Sequence, residues 1–489
     1  MPPPSESVNP YDENPFPRQS LAASDPSRLA ATGALFGMRP APLDNCRVLE
    51  LGCATGGNLT PLAARHPRGT FVGIDYLQGQ IALARQDAAS LGLTNVEFQA
   101  VDFRDVSRDG GDDLGTFDYI ICHGVFSWVS PPLQETVLQL CHAHLNPQGL
   151  VFLSYNIYPG WHLRNLVREL VCECTPATDP PAHRVAEARK LLDFFCWAFH
   201  DDPTPYGQLL KGELEVVQAQ PDGYLLHEQL EHDNNPLYLH ELIARLERHG
   251  LQYVADSDLA TMFVENMGQT VTAELPRLAD DDIAVEQHLD VLRNRAFRQS
   301  ILCRADVPLS RALDGGTLAG LYLVGNMRPD PPSANITSSE LVKFVTLRGS
   351  EMWSPSAPLK AAFEELGRQF PRGVLLEALF AAVANRLGQG GRPLPADVQA
   401  TLGRDLVQCL KQGVLDIRGG PDSFVGRVSD RPVTMPMARW QARHGWQVTS
   451  GRHESLTFDE PARDILQHLD GLHDRAALLK VFVDSVGEA

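Results

Sequence analysis

From Arg47 onward the chain alternates between two kinds of apolar pattern. Runs that are apolar almost throughout, "RVLELG" (47–52), "TFVGID" (70–75), "VEFQAVD" (96–102), "FDYIICHG" (117–124) and "GLVFLSYN" (149–156), predict five strands. Between them, "LTPLAARH" (59–66), "GQIALARQDAASLG" (79–92) and "LQETVLQLCHAHL" (133–145) place their apolar residues at helical spacing. Strands buried on both faces and joined by amphipathic crossovers belong to a parallel sheet covered on both sides. The expected fold class is therefore α/β, a doubly wound sheet. After about residue 165 the pattern turns helical, most apolar in "AHRVAEARKLLDFFCWAFH" (182–200). Then "LHELIARLERHG" (239–250) and "LQYVADS" (251–257) restore a helix-then-strand unit, and "RQSILCRAD" (298–306) predicts one more strand. The helical block thus reads as an insertion into the α/β domain.

The chain has 489 residues, too many for one core at about 150 residues per domain. The expected division is an N-terminal arm and helix over 1–45, a ligand-binding core over 46–165, the helical insertion over 166–235, the end of the sheet and a middle region over 236–325, and a mainly helical module over 331–489. The last boundary rests on the Pro-, Ser- and Asn-rich "NMRPDPPSANITSSE" (326–340), read as a linker. Phe194, Phe195, Trp197 and Phe199 offer more aromatic surface than one helix face holds, so that helix is either a buried core element or a homodimer interface.

Charge narrows the partners. Lys and Arg total 42 against 61 Asp and Glu, a net charge of −19 that repels polyanions on average and argues against nucleic acid and anionic membranes. No leader pattern and no long apolar span is present, so membrane insertion is not expected, and nine scattered cysteines fit reduced thiols in a cytoplasm. Two metal-like clusters, "CEC" (172–174) with His183, and His227, Glu228, Glu231, His232, Asp233 and His240, are better explained as helix surface than as ligands. Arg293, Arg295 and Arg298 read as internal salt-bridge partners rather than an anion site.

The candidate chemistry gathers at strand ends. "VLELGCATGGN" (48–58) is a strand, a turn of small residues and a helix start, which in such sheets carries the close ligand contact. Gly56 and Gly57 are expected to take positive φ and to leave room for a ligand. Glu50, inside the strand, suits a cationic ligand; Asp75, ending the second strand, can accept both ribose hydroxyls of a nucleoside; Asp102 with Phe103 suits an adenine.

These residues resemble the class I S-adenosylmethionine-dependent methyltransferases, whose first motif is an acidic residue followed by G-x-G-x-G. Here Ala54 stands at the middle glycine. The resemblance implies a Rossmann-like sheet and S-adenosyl-L-methionine as cofactor, held by Glu50, Gly52, Ala54, Gly56, Asn58, Asp75, Tyr76, Asp102, Phe103, His123 and Gly124. "YNIYPGWHLRNLVREL" (155–170), residues 224–254, "EQHLDVLRNRAFRQSILCR" (286–304), "YDENPFP" (11–17) and "RPVTMPMARWQA" (431–442) look like the bacterial group that carries a methyltransferase regulatory domain. That group includes rickettsial-type protein-lysine methyltransferases with a winged-helix-like tail, which implies a protein substrate with accessible lysines.

For such an acceptor, Tyr155, Asn156 and Tyr158, leaving the fifth strand at its carboxyl end, are the candidate catalytic residues. Trp128 and Trp161, with Tyr11 and Phe16 of the arm, are candidates for the substrate channel, and His123 is a cofactor-site wall rather than a base. A small-molecule methyltransferase would share the cofactor residues and differ in the acceptor pocket, and a non-catalytic protein could use the same scaffold. A nucleic-acid amino-methyltransferase should show (D/N)PP(Y/F) where "CHGV" (122–125) stands.

Overall fold

The computed structural model describes residues 18–106, 114–176, 178–231, 233–347, 349–422, 425, 427–445 and 447–487; Tyr11, Phe16 and His232 lie outside them. At its centre are seven strands, β1 (Arg47–Leu51), β2 (Thr70–Asp75), β3 (Val96–Ala100), β4 (Phe117–Cys122), β5 (Leu145–Asn156), β6 (Leu251–Asp256) and β7 (Phe297–Arg304), in the spatial order β3-β2-β1-β4-β5-β7-β6. β1 to β5 run parallel, and β7 is antiparallel to both β5 and β6. Strand order reverses between β1 and β4, which opens a crevice beyond their carboxyl ends.

Four helices flank the first half of this sheet: α1 (Pro26–Leu35), α2 (Leu59–Arg65), α3 (Gln78–Ser90) and α4 (Pro131–His144). Asp25 starts α1 by accepting from the Ser27 N–H, and Pro26 occupies the first turn, where its missing N–H costs nothing. Between β5 and β6 the chain departs into α5 (Gly160–Cys174), α6 (Pro181–Ala198) and α7 (Pro205–Gln218), whose Val167, Val171, Leu192 and Leu214 form a small core of their own. On α6, Phe195 packs against that core, whereas Phe194 and Trp197 face outward, Trp197 at 75% exposure. α8 (Leu239–Arg248) then returns the chain to β6.

The arginines after Asp282–Leu292 serve the interior. Arg298 is fully buried, bonded to Asp290 at 2.9 Å and Glu286 at 3.0 Å, while Arg295 meets Asp256 at 2.8 Å. Such a cluster is tolerated only because every charge is paired.

Residues 326–340 are not a free spacer. Arg328–Asp330 forms an edge strand against Val342–Val345, a position that accepts Pro329 because an edge strand can spare the missing N–H. The helices that follow, Ala357–Gln369, Leu376–Arg386 and Ala396–Lys411, contribute Leu359, Phe363, Leu379 and Leu402 to the same core as the central sheet. A second unit, with its own core of Ala438, Ala442 and Val448, comprises Pro436–His444, Gln447–Thr449, Ser455–Thr457, Glu460–Gln467 and Arg475–Gly487. Among the described residues no helix is long and apolar enough to cross a membrane.

Candidate active site

The turn after β1 is built on three left-handed residues, Gly52 (φ 73°), Ala54 (φ 47°) and Gly56 (φ 72°). Gly57, expected from the sequence to share that conformation, does not. The expected reason for its bareness also changes. A Cβ would lie 2.4 Å from Val125 Cγ2 at Gly52, 2.7 Å from the Phe98 ring at Gly56, and 2.8 Å from Arg18 Cα at Gly57. The protein itself fills these spaces, with the backbone of Arg18 and Gln19 lying against Gly57. Ala54 carries the strain of a Cβ in the left-handed region.

Glu50 is 4% exposed among Val48, Leu49 and Leu51. Its Oε1 accepts from Asn58 Nδ2 at 2.8 Å, while Oε2 is buried with no partner. Burial pushes the carboxyl up to about 8, opposed by the Asn58 bond and reinforced by the charge of Asp75. A buried carboxyl oxygen with nothing to bond is costly unless a cation arrives to meet it. This is the fit expected of a site for an ammonium group.

The other strand-end acids are braced. Asp75 accepts from the Ala54 N–H and the Leu77 N–H, each at 3.0 Å, so it ties the glycine turn to the end of β2. Tyr76 beside it is 55% exposed. Asp102 bonds Arg104 through its backbone N–H at 2.8 Å and its guanidinium at 2.6 Å, which holds the carboxyl below its usual range, and Phe103 is buried next to it.

At the β4 and β5 exits, Ser154 Oγ bonds the Gly124 N–H and His123 Nδ1, both at 2.9 Å. Burial brings His123 down to about 4, so its ring is neutral near neutral pH. Asn156 donates its backbone N–H to Ser127 Oγ at 2.8 Å and its Nδ2 to Asn234 Oδ1 at 2.9 Å. Asn235 is fixed to the same loop, its N–H on the Ser127 carbonyl at 2.8 Å and its Nδ2 on the Val129 carbonyl at 3.0 Å. The Trp128 and Trp161 rings meet edge to face at 6.0 Å. Two donors here, Trp161 Nε1 and Asn234 Nδ2, are buried without a partner. Tyr158 stacks on His162 at 4.1 Å and contacts Tyr238. Tyr155 points the other way: 1% exposed, it bonds Ser300 Oγ at 2.9 Å between β5 and β7.

Ser154, Asn234 and Asn235 were missed by the sequence reading. The first could have been found, since residues 154 and 156 share a strand face. "NNPLY" (234–238) gave no signal, because only the fold lays it beside Ile157, where Leu237 pairs with it.

The strand order and the crevice define a class I methyltransferase fold. Three family models match: a methyltransferase domain over 42–196, a "predicted methyltransferase regulatory domain" over 221–304, and a "PKMT, C-terminal winged helix domain" over 430–489. An uncharacterized protein of Rickettsia prowazekii (strain Madrid E) is 30% identical over 485 residues, 98% of this chain and 86% of that protein. PKMT2 from Rickettsia typhi superposes with a TM-score of 0.86 at 28% identity over 97% of this chain and 93% of that one, and its complex with AdoHcy with a TM-score of 0.85 at 29% identity over 97% and 92%. The chain belongs to the S-adenosylmethionine-dependent methyltransferases that combine this regulatory domain with a PKMT-type winged helix.

Proposed function

We propose that the chain transfers methyl groups to lysine side chains of a protein acceptor. The observation that carries the reading is the match to PKMT2 of Rickettsia typhi along 97% of the chain, winged helix included, rather than over the catalytic sheet alone. S-adenosylmethionine supplies an electrophilic sulfonium methyl. Glu50 would meet its ammonium, Asp75 its ribose, Asp102 and Phe103 its adenine, with Tyr76 beside them; Gly52, Ala54 and Gly56 shape the wall, and His123 and Gly124 close it toward β4.

The chain's own residues then have to present a neutral amine within about 3 to 3.5 Å and in line. A lysine ammonium must lose its proton first, and loss of water in a channel walled by Trp128 and Trp161 would disfavour its charged form. The Asn156 and Asn234 amides provide oxygens for the amine's N–H groups, and the unpartnered Trp161 and Asn234 donors suit carbonyls of an acceptor peptide. Tyr158, half-buried with its hydroxyl turned to Asn165, is the candidate for orienting the amine as it reacts. Tyr155 supports the strand from behind.

Incubation with labelled S-adenosylmethionine and a native lysate, followed by mass spectrometry, tests the acceptor. Label on protein lysines is expected. Transfer undiminished after reductive methylation of all protein lysines would refute the proposal in favour of a small-molecule acceptor.

A further inference from the structure

Asn58 stands at the N-cap of α2, where an asparagine ordinarily bonds the helix's own free N–H groups, yet it makes no capping bond. Its amide joins three distant segments instead. Oδ1 accepts from the Leu21 N–H at 2.9 Å and faces His453 Nε2 at 2.7 Å, while Nδ2 donates to Glu50 Oε1 at 2.8 Å and to Ser24 Oγ at 3.2 Å. A backbone N–H can only donate, so Oδ1 must face Leu21 and Nδ2 must face Glu50. His453, facing the same oxygen, must then donate as well, which fixes its proton on Nε2.

His453 comes from the turn between Gln447–Thr449 and Ser455–Thr457, in the C-terminal unit. It is 1% exposed and holds a φ of 61°, unfavourable for a residue with a Cβ. Burial, with Arg65 alongside, brings its pKa down to about 3, so the ring is a neutral donor at any working pH. The turn is clamped onto α2: Arg65 donates Nη1 to the Gly451 carbonyl at 2.9 Å and pairs Nη2 with Asp25 at 2.7 Å. Strained backbone of this kind persists where the surroundings over-determine it, often at functional sites.

We infer that His453 is a positioning residue of the cofactor site: it holds the Asn58 amide, which holds Glu50, so the C-terminal unit helps to present the carboxyl to the cofactor. This rests on the reading that Glu50 meets the cofactor's ammonium. By reciprocity, whatever displaces the C-terminal unit weakens cofactor binding, and cofactor tightens the unit.

The test is calorimetric titration of the full chain with S-adenosylhomocysteine. His453→Phe keeps apolar bulk and loses the donor, and should raise Kd about five- to tenfold, the scale of one hydrogen bond. His453→Gln restores a donor and should return Kd to within about twofold of wild type. In an Asn58→Ala background the Phe substitution should add nothing. Wild-type affinity for His453→Phe, or equal losses for Phe and Gln, overturns the proposal. In the unsubstituted protein, saturation with S-adenosylhomocysteine should slow amide exchange over 450–455, and unchanged exchange there overturns it independently of any variant's folding. Glu50→Gln separates the two levels: undiminished binding by that variant refutes the underlying reading of Glu50, whereas weakened binding there with normal binding by His453→Phe refutes only the role of His453.

Discussion

Replacing Glu50 by glutamine should do two opposite things to this protein. The folded carboxyl is raised from the 4.5 of an ordinary glutamate to about 8, chiefly by burial, with Asp75 adding to the rise and the Asn58 bond opposing it. An unfolded glutamate ionises near 4.3, so between roughly pH 4.5 and 8 the folded state holds a proton that the unfolded state has lost. Stability from this group is therefore fully present below that window and falls as pH climbs through it. The rise from 4.5 to about 8, at about 1.4 kcal/mol per pH unit, corresponds to a penalty on the order of 5 kcal/mol at pH 8. Glutamine cannot ionise, so Glu50→Gln without ligand should melt above wild type at pH 8 and close to it near pH 5. The gain in stability is bound to a loss of function, because the variant has no charge for the ligand's ammonium. In wild type the same proton leaves when the cation binds, so affinity for S-adenosylhomocysteine should rise with pH to about 8, about 15-fold from pH 6.5 if one proton is released, the carboxyl being half ionised at its own pKa. Above that the ligand's own amino group deprotonates and affinity falls. Calorimetry at pH 6.5 in two buffers of different ionisation heat counts the protons directly. No release by wild type, together with no gain in melting for Glu50→Gln at pH 8, would refute the assignment of Oε2 as an empty cation contact.

Three shorter tests address the turn, the acceptor side and the insertion. Ala54→Gly removes the Cβ from a left-handed residue and should stabilise by about 1 kcal/mol net of the freer unfolded chain, read as a higher denaturation midpoint; a drop would mean the methyl packs usefully. Tyr158→Phe should lower kcat about tenfold while leaving the S-adenosylhomocysteine Kd near wild type; an unchanged kcat would reduce the ring to packing on His162. Trp197→Glu should turn a larger species into soluble monomer by light scattering if a second copy covers the exposed face of α6; a monomeric wild type refutes that.

What the sequence made legible, and what it hid, follows from how far apart the cause and effect lie along the chain. Strands β1, β2, β4 and β5 declare themselves because each is buried on both faces, whereas the edge strand β3 buries only Phe98 and is legible from its short run after α3; Glu50, Asp75 and Asp102 are visible because a charge inside or just beyond an apolar run is a local anomaly. The same double burial hides parity. An apolar strand does not say which face looks onto the crevice, so the sequence offers Tyr155 and Asn156 alike although alternation separates them: Ser154 and Asn156 serve one face, and Tyr155 turns to Ser300 on the other. Proline and serine over 326–340 suggested a spacer, since an edge strand that tolerates Pro329 has no pattern of its own. The contact between Asn58 and His453 spans 395 positions and consists of one amide and one imidazole, with no periodicity to announce it. Yet the reason to look was present locally. An asparagine at the start of a helix has an obvious use as a cap, and when the structure shows that use refused, the side chain must have been claimed elsewhere; here it is claimed by Glu50, a buried carboxyl whose second oxygen has no partner among the described residues.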